Sequence, residues 1–214
     1  MDLKRKLLLT LWYFLGNTLL VANIHRICYY EPSSCIPNIS SSYESHSIMI
    51  FNHHKYELMW YISDIFIELL LSQDKNDVLM SFHHVLTVFL ISGSMWFNVM
   101  HIGFQVIRLL AMSNPLLHLS KILGKDLDIY VNIKLRIVLQ KIVFLMFTIV
   151  FFYNRLFQFP KQVLYNTLFE SWQHYNINAY FLTQYILFNC GLLTLQFMQY
   201  VWGWKILKIL YHKW

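Results

Sequence analysis

The sequence predicts an all-α protein, a polytopic transmembrane helical bundle of about six spans. Three observations predict it. Hydrophobic residues make up 57% of the 214 positions and charged residues 13%, against about 25% charge in an ordinary soluble domain. Six apolar segments recur along the chain, each near the ~20 residues that a membrane-crossing helix needs. The lysines and arginines gather at the ends of those segments, which is the distribution that orients a membrane protein.

The segments run at about 7–24, 48–71, 79–98, 100–123, 136–159 and 179–210. The first follows Lys4-Arg5-Lys6 and resembles a signal sequence, but no small-residue cleavage site follows, so it reads as an uncleaved span. The second carries His53, His54, Glu57, Asp64 and Glu68, and the third carries His83 and His84. Charge in hydrocarbon costs about 2.5–3.5 kcal/mol per group on insertion scales, so both helices should turn these residues toward the protein interior. Pro115 interrupts the fourth segment and should kink it. Pro160 follows the fifth and should mark a loop, as Pro32 and Pro37 do after the first. At this length the chain reads as one transmembrane domain over residues 1–214, its core at about 48–214, with no room for an added soluble domain.

Net charge is +6. Its placement favours topology and anionic headgroups or cofactors over nucleic acid. With both termini placed in the cytoplasm, eleven cations fall on the cytoplasmic side: Lys4, Arg5, Lys6, Lys75, Lys121, Lys125, Lys134, Arg136, Lys205, Lys208 and Lys213. Four fall opposite, namely Arg26, Lys55, Arg155 and Lys161, which supports that orientation. The first loop is then lumenal, where Asn38-Ile39-Ser40 fits a glycosylation acceptor and Cys28 and Cys35 could either pair or remain thiols. Cys190 has no partner nearby in sequence.

Helical spacing groups the polar residues. Glu57, Tyr61, Asp64 and Glu68 share one face of the second helix; Lys141, Thr148 and Arg155 share a face of the fifth; Asn189, Gln196 and Gln199 share a face of the sixth. These stripes are expected to converge on one polar interior. His83-His84, with Thr87 one turn on, is the sharpest local feature. An imidazole there can serve as base or nucleophile, or the pair can be hydrogen-bonded packing between helices; pattern alone leaves both open. The acidic stripe reads first as structural pairing with Arg108, Lys141 or Arg155. No metal is expected, because His53-His54 and His83-His84 fall at different depths and a site needs three or four ligands.

The ordered motifs resemble the TLC-domain superfamily, and within it the ceramide synthase (longevity-assurance) branch. Lys75-Asn76-Asp77 followed by Phe82-His83-His84-Val85-Leu86-Thr87 is similar to the branch's charged lead into a His-His-x-x-Thr helix. Ser113, Leu116, Leu117, Ser120 and Lys121 match its serine-to-lysine segment. Asn154-Arg155-Leu156, Phe159-Pro160 and Thr167-Leu168-Phe169-Glu170-Ser171 match its later run, and Leu195-Gln196, Trp202 and Ile206-Leu207 its last helix. Trp12-Tyr13 and Tyr30 to Cys35 resemble the stretch before the domain. The likeness spans nearly the whole chain, without the family's first span.

This resemblance implies N-acylation of a sphingoid base by a fatty acyl-CoA at the endoplasmic reticulum membrane, with acyl-CoA a co-substrate and no bound cofactor. His83 and His84 would act on the thioester, supported by Thr87, Ser113, Asn114, Asp64, Glu57 and Arg155, while Lys75, Lys121 and Lys125 would receive coenzyme A. Partners would be acyl-CoA, sphingoid base and membrane lipid, with a homodimer or small regulatory subunit possible. One departure bears on this. Where the branch has acidic residues on the fourth helix, this chain reads Leu110-Ala111-Met112-Ser113-Asn114, so both carboxylates are missing. The rival expectation is therefore a TLC protein that binds lipid or a partner subunit without catalysis. A transporter has no inverted repeat to support it.

Overall fold

The computed structural model describes residues 3–30, 48–71, 78–125, 133–171 and 179–213. Among them every regular element is helical: α1 (Leu3–Tyr30), α2 (Ile48–Leu71), α3 (Val78–Trp96), α4 (Met100–Ala111), α5 (Asn114–Lys125), α6 (Ile133–Phe151) and α7 (Ala179–Lys213). Between α6 and α7 the chain continues as π-helical turns at Phe152–Gln158, Pro160–Leu164 and Asn166–Glu170.

Two segment boundaries differ from the sequence expectation. The fourth segment is two helices, broken at Met112-Ser113. Pro115 sits in the first turn of α5, where its missing N–H has no bond to lose, so it starts a helix rather than bending one. Pro160 ends nothing: the helical path runs through it to Ser171. The winding there is wide, with the Phe159 N–H bonded to Asn154 O five residues back. That geometry relieves the clash between a proline ring and the preceding turn. The helical span that holds Arg155 therefore runs past Pro160 to Ser171 instead of ending at Phe159.

Contacts fix an alternating up-and-down order. Trp12 of α1 stacks on Trp60 of α2 at 5.2 Å. Phe97, just after α3, meets Phe188 near the start of α7 at 5.6 Å, while His83 near the start of α3 meets Trp202 near the end of α7 at 5.1 Å. Tyr185 donates to Leu168 O at 2.9 Å, joining the start of α7 to the end of the π-helical run. Tyr13 and Asn17 in the first half of α1 line one cavity with Lys205 and Ile209 near the end of α7, so these parts lie toward the same face. The α3–α4 connection is short and uses Asn98 at φ 61°, a left-handed conformation that asparagine tolerates.

Among the described residues, three helices are long and apolar enough to cross a membrane on those criteria alone, within Leu7–Tyr29, Val78–Trp96 and Lys134–Glu170. The burial pattern shows how polar residues are accommodated in all of the helices. Leu8, Leu15, Met59, Val85, Ile149, Phe169 and Phe197 point outward, whereas Asn17, Glu57, Asp64, His83, Arg155, Gln196 and Gln199 are buried. This is the arrangement lipid demands, since apolar surface gains nothing by leaving hydrocarbon and polar groups must find partners within the protein. Close packing supplies the rest: Leu20, Ile24, Ile50, Ile91 and Phe104 form one cluster, and Leu90, Leu110, Phe159, Val163 and Leu195 another.

Cys28 is disulfide-bonded, and Cys190 is a free, exposed thiol. Cys35, Asn38 and Lys75 lie outside the described residues, as do the side chains of Lys125 and Glu68.

Candidate functional site

The third helix turns His83 and Thr87, one helical turn apart, into the protein; both are buried. The Thr87 hydroxyl donates to the His83 backbone oxygen at 2.7 Å. It therefore satisfies itself on its own helix and leaves the imidazole to its neighbours. The His83 ring lies 5.7 Å from that of His84 and edge-on to Trp202, and its Nδ1 has no hydrogen-bond partner among the described residues. His84 meets the ring edge of Tyr61, from α2, at 5.8 Å.

Both imidazoles face a cavity of about 350 Å³. Tyr61 and Asp64 enter it from α2, Asn17 and Tyr13 from α1, Asn114, His118 and Lys121 from α5, Arg155 from the π-helical run, and Trp202 and Lys205 from α7. A second, apolar cavity lies farther along the bundle, lined by Leu90, Ile91, Val106, Ile107, Leu192 and Leu195 with Thr87. Tyr61 and Leu110 line both cavities, so the histidines stand where a polar chamber adjoins an apolar one.

Arg155 is the fixed cation of the chamber. It donates to Gln199 Oε1 at 3.1 Å, to the Leu110 carbonyl and to Asn114 Oδ1, and lies over the Phe151 ring at 5.1 Å. Its Nε is buried without a hydrogen-bond partner among the described residues, and none of these three bonds reaches a carboxylate. Asn114 in turn donates to Asn17 Oδ1 at 2.9 Å. The break between α4 and α5 exposes the Leu110 carbonyl to Arg155, because the last carbonyls of a helix have no partner within it.

Sequence stripes are thus split by the fold. Asp64 reaches the chamber; Glu57, two turns earlier, does not, and instead pairs with His53 at 3.3 Å in a fully buried site. Arg108 is not the partner of the acidic stripe: it bonds Gln105 and Gln162, each at 3.1 Å. Lys141 is exposed while Thr148 and Arg155 on the same stripe are buried. Asn189 bonds Thr167 O and Tyr185 O, away from the histidines, and only Gln199 of its stripe contacts Arg155. Ser113 is buried at the helix break, its hydroxyl without a partner among the described residues. Lys121 lines the chamber, joined by Lys205. His118 and Lys205 were not singled out as site residues; the i, i+4 spacing of Asn114 and His118 on an amphipathic helix was the available signal for the former. No group of three or more histidine, cysteine or acidic side chains suited to a metal occurs among the described residues.

A helical membrane bundle enclosing a histidine-lined chamber is the class that fold and site define. The chain belongs to the TLC-domain family, whose profile matches residues 6–208. It is similar to ceramide synthase 4 of Bos taurus, 32% identical over 162 residues, covering 76% of this chain and 38% of that protein. It is similar to human ceramide synthase 5, 31% identical over 160 residues, covering 75% and 38%, and to ceramide synthase 4 of Mus musculus, 30% identical over 199 residues, covering 92% and 46%. The chain therefore spans less than half the length of these curated relatives.

Proposed function

We propose that this protein is a sphingoid-base N-acyltransferase of the endoplasmic reticulum membrane, forming an amide from a fatty acyl thioester and a long-chain amine. The observation that carries the proposal is the position of His83 and His84 at the junction of the polar and apolar cavities. A fatty acyl-CoA has the same two-part chemistry. Its chain matches the apolar lining in polarity, and its phosphates match a mouth bearing Lys121 and Lys205. The thioester carbonyl then falls beside the imidazoles. One of the pair acts on it as acyl acceptor or general base, and Trp202 and Tyr61 hold the rings in place. Enclosure by helices excludes water, which would otherwise hydrolyse the activated acyl group. This reading places the chamber mouth and both chain ends on the cytoplasmic side, where acyl-CoA is found.

The test is amide formation by purified protein given acyl-CoA and a sphingoid base. Turnover that disappears in His83→Ala and His84→Ala supports the proposal; normal turnover in the double variant overturns it. Narrowing the apolar cavity with Ile91→Phe should shift the products toward shorter acyl chains.

A second reading is favoured by one observation. Position 111 is a buried alanine and the Asn114 amide is engaged by Asn17 and Arg155, so neither position supplies a carboxylate. On that reading the chamber binds a lipid without transforming it. Saturable binding of acyl-CoA or sphingoid base with no product from the wild-type protein would decide for it.

A further inference from the structure

Resting on the acyltransferase reading, we infer that Asp64 is the residue that holds the protonated amine of the acyl acceptor and takes its first proton. A long-chain primary amine is an ammonium at neutral pH, since an alkyl ammonium such as that of lysine has a pKa of about 10.4. It needs a carboxylate to bind and a proton acceptor before it can attack. Among the described residues lining the histidine chamber, Asp64 is the one acid; Arg155, Lys121 and Lys205 are cations. Its side chain is 4% exposed. It stands one helical turn from Tyr61, which touches the His84 ring, so carboxylate and imidazole share one wall.

The fourth segment offers no carboxylate in its place; the titratable groups it brings to the chamber are His118 and Lys121. Ala111 is packed with Leu20, Ile24 and Phe104, and the Asn114 amide is tied to Asn17 and Arg155. Glu57 is turned away toward His53. The acid function has moved from the helix after the histidines to the helix before them.

The balance is as follows. The ammonium gives one proton to Asp64 and becomes the nucleophile. Its nitrogen forms the C–N bond to the acyl carbon, and the second proton shed as the amide forms passes to an imidazole. The C–S bond breaks with its electron pair on sulfur, and the imidazolium protonates that thiolate. Ammonium and thioester thus yield amide, thiol and one proton, the last released from Asp64.

The experiment compares wild type, Asp64→Asn and Asp64→Glu in detergent, measuring KM for sphinganine and for acyl-CoA separately. Asp64→Asn should raise the amine KM at least tenfold and leave the acyl-CoA KM within twofold, and Asp64→Glu should restore part of the loss. An unchanged amine KM in Asp64→Asn, or an equal rise in both constants, overturns the inference. Direct binding of sphinganine against its neutral N-acetyl derivative to the wild-type protein supplies a readout independent of turnover and of the variants' folding. Preference for the ammonium should be present in wild type and lost in Asp64→Asn. Its absence from wild type overturns the assignment, whereas preference without any amide formation by wild type overturns the acyltransferase reading and leaves Asp64 as an amine site.

Discussion

Arg155 Nη1 donates to Gln199 Oε1 at 3.1 Å across 44 positions of chain, tying the π-helical run to α7 behind the histidine pair. The same guanidinium reaches the end of α4 and the start of α5 through Leu110 O and Asn114. Arg155 therefore joins the elements that close one side of the chamber. A hydrogen bond to a charged group contributes about 1.5–3 kcal/mol. Arg155→Met should lower stability by roughly that amount, and a double-mutant cycle with Gln199→Leu should return a coupling of about 1–2 kcal/mol. Additive losses in thermal or denaturant unfolding would refute the link.

Asn114→Asp would set a carboxylate against that guanidinium, whose own cost of burial is already met. Mutual attraction in a low-dielectric interior then outweighs the desolvation of one added acid, because the partner cation is in place. The melting temperature should rise. A fall would mean that the bond between Asn114 and Asn17 matters more than the new ion pair.

His83→Ala and His84→Ala should each reduce amide formation by about 10²-fold or more, the range that loss of a general acid or base produces. Unfolding profiles close to wild type would separate this from collapse of the chamber.

Glu57→Gln should leave turnover within about twofold of wild type, since Glu57 faces His53 and not the chamber. Neutralising a buried acid also removes a desolvation cost, so stability should be equal or higher. A tenfold fall in kcat would place Glu57 in the reaction after all.

Gly103→Ala tests the packing between α2, α3 and α4. A Cβ there would stand 2.6 Å from Ser94 Oγ and 2.8 Å from His54 Nε2. Both are held, Ser94 by Ile91 O at 2.7 Å and His54 by Ile50 O at 2.9 Å. Overpacking of this kind costs about 1–3 kcal/mol, read as a lower unfolding midpoint.

Hydropathy and charge placement were enough to identify a membrane-embedded helical bundle, and helical spacing was enough to put Thr87 within one turn of His83 and His84. Hydropathy and helical period are local properties, and the spacing of those residues carries them in full. The sequence also carried the family likeness. Local pattern could not decide which polar residues meet. Glu57 and Asp64 share a stripe, yet a stripe two turns long passes different neighbours at each depth, so one found His53 and the other the chamber. Pro160 does not end the fifth span, because the wider winding there relieves the clash that α-helical geometry would impose. The chamber itself joins α1, α2, α3, α5, the π-helical run and α7. Only the packing of helices distant in sequence brings Asp64, His84 and Arg155 around one space, and that packing gives Asp64 the place that positions 111 and 114 left without an acid.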